Sequence, residues 1–270
     1  MNKISVCLIV YNEEEHIKRC LESVEGVVDE IIVVHDGECR DRTLEICKNF
    51  TDKVYIRPHK GAMEFHVPFI IDKALGNWIL RIDADEFLSK ELRNNLRKIV
   101  KDNNVDGYKF LWPFWNGNKY ITKNWPYKLA LFKKDKISFL GLLHQPIIVR
   151  GKTKPQNLII KHQPDYNNFI WNTFKTKWLK WAKIQARNYL SDFHKIEKIN
   201  YPNKNWPLII LLRRKFPLLT IPIDFFSALF RGLFSGGHME GMIFYKYIFL
   251  GSLYKVCVDY YMYKEKSEKN

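Results

Sequence analysis

Short apolar runs alternate with amphipathic segments along roughly the first hundred residues. The apolar runs have the length and composition of buried strands, and the segments between them repeat apolar residues at helical spacing. The predicted strands are Ile4–Val10, Asp29–Val34, Lys53–Arg57 and Trp78–Ile82, and the predicted helices are Glu13–Val24, Arg42–Phe50, Phe69–Leu75 capped by Gly76, and a segment that starts near Ser89. This order predicts an α/β fold in which helices flank a mostly parallel sheet.

The chain changes character in its second half. Residues 104–163 carry a mixture of strand and loop signals, and we expect them to cover the ends of the sheet. Further on, Trp171, Phe174, Trp178 and Trp181 share one face of a predicted helix that also carries several lysines. Such a pattern is typical of a helix lying on a membrane surface, and equally of an amphipathic helix that buries its aromatic side chains. No later apolar run reaches the roughly 18–20 residues that span a bilayer.

Positive charge is concentrated in the same region. Residues 1–149 carry 23 Lys and Arg against 21 Asp and Glu, whereas residues 150–270 carry 21 against 8. A basic half indicates a polyanionic partner, either a membrane with anionic headgroups or a nucleic acid. The many Leu and Ile residues among the basic and aromatic ones favour the membrane, so we expect no nucleic-acid partner.

Two further features bear on location. Residues 1–3 lead directly into the first predicted strand, so we expect no signal peptide before it. The five cysteines include no Cys-x-x-Cys pair. The cysteines are therefore expected to be reduced thiols, neither disulfides nor a zinc site. Together with the basic C-terminal half, these features predict a cytoplasmic protein that is peripherally associated with the cytoplasmic face of the membrane.

Candidate chemistry lies where the predicted strands end. Tyr11 and Asn12 follow the first strand, Asp36 the second, and Asp83 and Asp85 the fourth. Parallel sheets bind ligands at the carboxyl ends of their strands. Asp83 and Asp85 are two residues apart and would project to the same side, where paired carboxylates suit Mg²⁺ or Mn²⁺ and, through the metal, a diphosphate. An acidic turn that caps the following helix would produce the same pattern.

Neither of two common nucleotide-binding motifs is present. No Gly-x-Gly-x-x-Gly follows the first strand, and no Walker-type Gly-Lys-Ser/Thr loop occurs in the chain. These absences argue against a dinucleotide-binding Rossmann protein and against a P-loop NTPase.

Four motifs in roughly the first ninety residues carry a family resemblance. They are ISVCLIVYNEE (4–14), VDEIIVVHDG (28–37), DRT (41–43) and GNWILRIDADE (76–86). In this order they resemble family-2 glycosyltransferases with the GT-A nucleotide-sugar fold. Segments in 141–162 and 225–241 resemble membrane-associated members that decorate lipopolysaccharide cores and related lipid-linked glycans. The chain departs from the family at His35, where Asp is frequent, and by an extra residue in 37–41.

The resemblance implies roles for single residues in binding the donor. Tyr11 and Asn12 would lie beside the nucleoside, and Asp36 would accept a hydrogen bond from the base, usually uracil. Asp83 and Asp85 would contact the ribose and phosphates and hold the divalent metal, Mg²⁺ or Mn²⁺.

The catalytic residues are expected to be His144 and Glu86, one of which would remove the proton of the acceptor hydroxyl. Gln145, which cannot act as a base, stands where the family often has Glu, and this favours His144 as the base. His162 and Asp165 are lesser candidates for this base, and His162 could instead touch the diphosphate or the metal. Further lesser candidates, for contacts to the donor sugar, are Glu64 and His66.

The resemblance also implies domains and an activity. Residues 1–163 would form the GT-A catalytic domain (1–103 the nucleotide-sugar half, 104–163 the acceptor half), and 164–270 a basic, helical, membrane-associating region. The expected enzyme is inverting, as most members of the family are. It is also expected to be non-processive, since the Gln-x-x-Arg-Trp motif of processive synthases is missing. It would move a sugar from a nucleotide-diphosphate sugar, expected to be a UDP-sugar, to a lipid-linked or cell-envelope glycan. A polyprenyl-phosphate sugar synthase and a nucleic-acid-binding protein on a degenerate transferase scaffold are the alternatives.

Overall fold

The predicted α/β fold with a C-terminal helical extension is confirmed. A computed structural model describes residues 2–120, 126–139, 143, 147–191, 207–234 and 241–268. The strands are β1 (Ile4–Val10), β2 (Glu30–Asp36), β3 (Val54–Arg57), β4 (Trp78–Arg81), β5 (Glu86–Leu88), β6 (Gly107–Leu111), β7 (Tyr127–Lys133), β8 (Ile137–Ser138), β9 (Ile148–Val149) and β10 (Thr153–His162). All but β8 and β9, which pair with each other, belong to one eight-stranded sheet.

The order of the strands determines which of their ends meet. Along the large sheet the order is β3-β2-β1-β4-β7-β6-β10-β5. Neighbours among β3, β2, β1 and β4 are parallel, while β7 is antiparallel to both β4 and β6, and β10 is parallel to β6. The carboxyl ends of β1, β2, β4 and β10 therefore lie at the same edge of the sheet.

Helices cover the two faces of this sheet. They are α1 (Glu14–Val24), α2 (Thr43–Lys48), α3 (Val67–Lys73) and α4 (Lys90–Ile99), with a 3₁₀ turn at Met63–His66 before α3. The apolar face predicted for α1 is buried along its whole length against the sheet. The Ser89 hydroxyl accepts a hydrogen bond from the Leu92 N–H at 3.1 Å, so α4 begins where the sequence predicts.

Two local predictions differ from the structure. Helix α3 ends at Lys73, and Gly76 is not its cap. A Cβ at Gly76 would lie 2.6 Å from Ser5 Oγ and 2.8 Å from the Lys3 carbonyl oxygen. Glycine is therefore required there by the close approach of the chain to β1. The second difference is β5, which was not predicted and which pairs antiparallel with the end of β10.

The C-terminal region is helical. A short turn, α5 (Trp171–Thr173), continues through a π-helical turn (Phe174–Trp178) into α6 (Leu179–Leu190). The later helices are α7 (Leu208–Lys215), α8 (Pro217–Phe234) and α9 (Met242–Ser267). The buried Arg213 guanidinium of α7 contacts Asp224 of α8 and lies 2.8 Å from Asp259 of α9, which ties the three helices together.

The aromatic face of the segment 171–181 is used mainly for packing. Phe174 and Trp178 are buried and lie against Leu250 of α9, whereas Trp171 is exposed. Of the two interpretations of this pattern, the structure thus favours burial of the aromatic side chains. In the described part of the chain, no helix combines the length and the apolar character needed to cross a membrane.

Candidate functional site

The sheet brings the predicted site residues to one edge. Tyr11 and Asn12 follow β1, Asp36 ends β2, and Asp83 and Asp85 follow β4. Because these three strands are parallel neighbours, their carboxyl ends form a single surface. The end of β10 adds His162 to this surface.

The first loop is held in shape by Asn12. This residue adopts a φ of +52°, a left-handed conformation that asparagine tolerates better than most residues. Its N–H donates to His35 Nε2 at 3.2 Å, so His35 carries its hydrogen on Nδ1 and donates it to the Gly37 carbonyl at 2.9 Å. The Asn12 side-chain oxygen accepts from the Arg40 N–H at 2.9 Å. The neighbouring Tyr11 keeps an exposed ring, 5.1 Å from the ring of His59.

Asp36 is buried, and both of its carboxylate oxygens have partners. Oδ1 accepts from the Lys60 N–H at 2.6 Å and lies 2.8 Å from His66 Nε2. Oδ2 accepts from the Gly61 N–H at 3.1 Å and lies 3.1 Å from His59 Nδ1. A carboxylate offers about four lone-pair positions. In this conformation the segment 59–66 fills three of them with hydrogen bonds. His59 Nδ1 lies beside Oδ2 but has its hydrogen-bond contact with the Asp36 backbone carbonyl, at 3.2 Å. Asp36 therefore anchors this segment over the strand end.

Asp83, the first aspartate of the pair, is bound to a lysine. Lys128 of β7 donates from Nζ to Asp83 Oδ2 at 2.8 Å. Burial opposes the ionisation of Asp83, but the positive charges of Lys128 and Arg81 together outweigh it and hold the pKa of Asp83 below its usual range. The Asp83 side chain is still 39% exposed. One face of this carboxylate thus remains accessible to a ligand.

Glu86, a predicted catalytic residue, is enclosed. Its side chain is 0% exposed, and Lys128 Nζ donates to both of its oxygens, at 2.6 and 2.7 Å. Trp112 Nε1 donates to Oε1 at 2.6 Å, and the Asp83 N–H donates to Oε2 at 2.9 Å. Burial raises the pKa of Glu86, and Lys128 opposes that shift. This geometry does not present Glu86 to an acceptor hydroxyl, in contrast to the predicted catalytic role.

Asp85, the second aspartate, is paired with a histidine. Asp85 Oδ2 lies 3.2 Å from His162 Nε2, and both side chains keep some exposure. The His162 ring is stacked on the Trp112 indole, with centroids 4.4 Å apart and an interplanar angle of 22°. Because Trp112 also donates to Glu86, the orientations of Glu86 and His162 are coupled through one indole ring.

This donor set fits a divalent cation that is shared with a substrate. Among the described residues there is no group of three or more His, Cys, Asp or Glu side chains able to enclose a metal. Asp85 and His162 nevertheless offer one carboxylate oxygen and one imidazole nitrogen side by side. Mg²⁺ commonly uses only one or two protein carboxylates together with substrate phosphates and water. The residues present therefore match a metal–diphosphate better than a closed structural metal site.

Further acidic groups surround Asp85. Burial raises the pKa of Glu13 to about 7, and the negative charges of Asp85 and Asp165 act in the same direction. Asp165 Oδ1 lies 2.8 Å from His16 Nε2 at the rim of the site. Glu13, Asp83, Asp85 and Asp165 are called the acidic cluster below. Their mutual repulsion makes this place favourable for a cation.

The remaining predicted residues have different placements. His144 lies outside the described residues. His66 is buried against Asp36, so it supports the segment 59–66 in this conformation. Lys128, Trp112 and Glu13 were not singled out from the sequence. No local signal marks Lys128, because only the sheet order shows that its strand lies next to the strand that precedes Asp83.

Loss of the Lys128 ammonium should destabilise the fold. Lys128→Met leaves the buried Glu86 carboxylate without its counter-charge, and we expect the free energy of unfolding to fall by about 3 kcal/mol. Urea denaturation at pH 7 measures this change, with Lys154→Met, which removes an exposed lysine of β10, as the matched control. The double variant Lys128→Met/Glu86→Gln should recover part of the loss. A Lys128→Met variant as stable as the control would contradict the account.

The raised pKa of Glu13 should appear in the pH dependence of stability. Between pH 4.5 and about 7 the folded state binds more protons at Glu13 than the unfolded state does. The stability that Glu13 contributes is therefore complete below pH 4.5 and is lost as the pH rises toward 7. In metal-free buffer, the stability of the wild type minus that of Glu13→Gln should decrease across this window. Glu15→Gln, at an exposed neighbouring position, serves as the control. A flat difference for Glu13→Gln would exclude the shift.

Two relatives that match this chain in sequence are named as glycosyltransferases. An uncharacterised glycosyltransferase of Rickettsia typhi is 40% identical over 108 residues, which cover 40% of this chain and 36% of the relative. The SPbeta prophage-derived glycosyltransferase SunS of Bacillus subtilis is 30% identical over 175 residues, 62% of this chain and 40% of the relative. The matched region thus spans between about a third and two fifths of the length of these relatives.

Solved structures give a weaker likeness. Glucosyl-3-phosphoglycerate synthase from Mycobacterium tuberculosis, in complex with Mg²⁺ and uridine diphosphate, is 21% identical with a TM-score of 0.35. That match covers 41% of this chain and 44% of the synthase. The sequence model of the family described as Glycosyl transferase family 2 matches residues 5–152. Since this match covers more than half of the chain, the chain belongs to family 2 of the glycosyltransferases.

Proposed function

We propose that this chain transfers one sugar per encounter from a nucleotide-diphosphate sugar, expected to be a UDP-sugar, to a lipid-linked or cell-envelope glycan, with inversion at the anomeric carbon. One observation carries the proposal. The aromatic ring of Tyr11, the accessible face of Asp83 and the Asp85–His162 pair meet at one edge of the eight-stranded sheet, where β1, β4 and β10 end. A nucleoside diphosphate needs an apolar surface on which its base can stack. It also needs polar or charged side chains nearby that contact its ribose and its phosphates.

The nucleoside half would bind between β1 and β2. The exposed face of Tyr11 is available to stack on a base. Asp36 is the proposed acceptor for the base N–H, and this contact requires one of its present neighbours in the segment 59–66 to give way. His59 is the neighbour that can move at the lowest cost, because its side chain is more than half exposed, whereas His66 is buried. Asp83 would accept from the ribose through the face that Lys128 leaves open.

The diphosphate would lie next to Asp85. Asp85 and His162 would hold Mg²⁺ or Mn²⁺, which when bound supplies positive charge to the departing nucleoside diphosphate. Trp112 keeps the imidazole of His162 in place by stacking on it. Lys128 keeps Asp83 ionised and holds one of its oxygens, Oδ2, by a hydrogen bond. Glu86 would act as the anchor of this arrangement and not as the base.

Proton removal from the acceptor needs a group on the opposite side of the sugar from the diphosphate. With Glu86 enclosed, His144 remains the proposed base. If the acceptor is a polyprenyl phosphate, its oxygen is already ionised and no base is needed. His144→Ala separates these cases, since transfer to a hydroxyl should fall strongly and transfer to a phosphate should not.

The acceptor is proposed to be reached at a membrane surface. Along α8 the exposed residues Leu219, Ile223, Phe226, Phe230 and Phe234 recur three or four positions apart, so they form one apolar stripe. Arg214 and Lys215 stand just before this helix, at the end of α7. An apolar face flanked by basic side chains matches the interface of a membrane that contains anionic lipids.

Removal of the Asp85 carboxylate should abolish turnover. A panel of UDP- and GDP-sugars is assayed for hydrolysis and transfer with Mn²⁺ or Mg²⁺. We expect Asp85→Asn to lower kcat about 100-fold or more on the accepted donor, because the charge that holds the metal–diphosphate is lost. Asp52→Asn serves as the control, since it removes an exposed carboxylate near the start of β3, at the opposite edge of the sheet. Full activity of Asp85→Asn, or the absence of any metal-dependent donor, would refute the proposal.

Membrane attachment should depend on the apolar stripe of α8. We expect the chain to co-sediment with phosphatidylglycerol vesicles and much less with phosphatidylcholine vesicles. Phe226→Ser/Phe230→Ser should reduce this binding at least about tenfold, because two aromatic side chains no longer enter the interface. Ile56→Ser alters a single exposed apolar residue of β3 and should leave binding unchanged. Equal binding by the double variant would show that the stripe serves another partner, such as a second copy of the chain.

A further inference from the structure

A lysine of the C-terminal region lies beside the acidic cluster. Lys177 belongs to the π-helical turn Phe174–Trp178, and its Nζ is 3.4 Å from the centroid of the Tyr166 ring. Burial lowers the pKa of Lys177, while the carboxylates of Asp165, Glu13 and Asp85 act in the opposite direction. The ammonium is thus within electrostatic reach of three members of the acidic cluster, including the residue proposed to hold the metal.

The π-helical turn directs this lysine toward the site. Phe174 and Trp178, at the two ends of the turn, are buried, and Trp178 Nε1 donates to Asn168 Oδ1 at 3.1 Å. Both anchors hold the turn against the body of the protein. The neighbouring Lys175 and Lys180 are exposed, whereas Lys177 is half-buried. Widened turns of this kind occur often at functional sites.

The ammonium of Lys177 is close to the acidic cluster without being paired to it. Within the part of the chain that the structure describes, no carboxylate oxygen lies within 4.0 Å of Lys177 Nζ, and its contact is the face of Tyr166. An ammonium has three N–H donors, and contact with one ring face leaves at least one of them available to an oxygen acceptor. Burial, and then the negative charges of Asp85 and Asp83, raise the pKa of Tyr166 above its usual range. Its hydroxyl is therefore a neutral donor beside the same carboxylates.

We propose that Lys177 binds the diphosphate of the nucleotide sugar, so that the C-terminal helical region completes the donor site. This inference rests on the proposed function. In the transfer step the acceptor oxygen bonds to the anomeric carbon, and its proton passes to the base. The bond from that carbon to the diphosphate oxygen breaks, and its electron pair leaves with the nucleoside diphosphate. Lys177 stabilises the negative charge that develops on this oxygen.

The role of Lys177 can be separated from a purely structural one by its dependence on the second phosphate. Lys177→Met removes the charge and keeps most of the apolar stem, and Lys177→Arg keeps the charge. Lys180→Met removes an exposed lysine of the same helical segment and serves as the matched control. Equal thermal midpoints of the variants and the wild type show that each variant is folded.

The measurement is the Kd of UDP and of UMP, by calorimetry with Mn²⁺ present, for the wild type and each variant. We expect Lys177→Met to weaken UDP binding at least about tenfold and UMP binding much less, with partial recovery in Lys177→Arg and no change in Lys180→Met. Equal UDP affinity in Lys177→Met and the wild type, or equal weakening of UDP and UMP, would overturn the inference. Failure of the wild type itself to bind UDP or GDP would instead refute the proposed function, and this inference with it.

Discussion

The contact of Lys128 with Glu86 and Asp83 is the interaction on which the arrangement of the site depends. Two carboxylates that leave the sheet within four residues of each other would repel in a poorly solvated place. One ammonium, delivered by β7 from the adjacent antiparallel strand, neutralises them. Glu86 then becomes a fixed acceptor for Trp112, which in turn supports His162. The second aspartate, Asp85, is left with an imidazole beside it and a surface open to a ligand.

Periodicity was sufficient to predict the edge of the sheet but not the contacts across it. Strand and helix spacing placed Tyr11, Asp36 and Asp83 at one edge, because parallel neighbours must end together. Lys128 could not be assigned, since β7 inserts between β4 and β6 by long-range pairing that leaves no local signal. For the same reason the enclosure of Glu86 was missed, and a residue predicted to be catalytic is buried under Lys128 and Trp112. The aromatic face of 171–181 was compatible with a helix on a membrane surface and with a helix that buries its aromatic side chains. The packing of Phe174 and Trp178 against α9 distinguishes the two.

Segments from both halves of the chain border the proposed donor site. On the side proposed for the nucleoside lies the segment 59–66, which is held to Asp36 through two backbone N–H groups and two histidines. On the side proposed for the diphosphate lies the segment that follows β10, where the Lys177 ammonium rests on the Tyr166 ring. Beyond this segment the helices turn an apolar stripe outward. A donor in the sheet and an acceptor held at a lipid surface would then approach each other from opposite sides of the same region.

The central proposal is that the metal–diphosphate binds to Asp85 and His162, while Lys128 stays hydrogen-bonded to Asp83 and keeps that carboxylate from binding the metal. A crystal structure of the full chain with Mn²⁺ and UDP, with the metal located by its anomalous scattering, tests this directly. The account predicts a manganese peak within about 2.0–2.4 Å of Asp85 and His162 atoms, bridged to the diphosphate, with Lys128 still on Asp83 and Glu86. A metal held between Asp83 and Asp85 with Lys128 displaced, or a nucleotide bound away from this edge of the sheet, would contradict it.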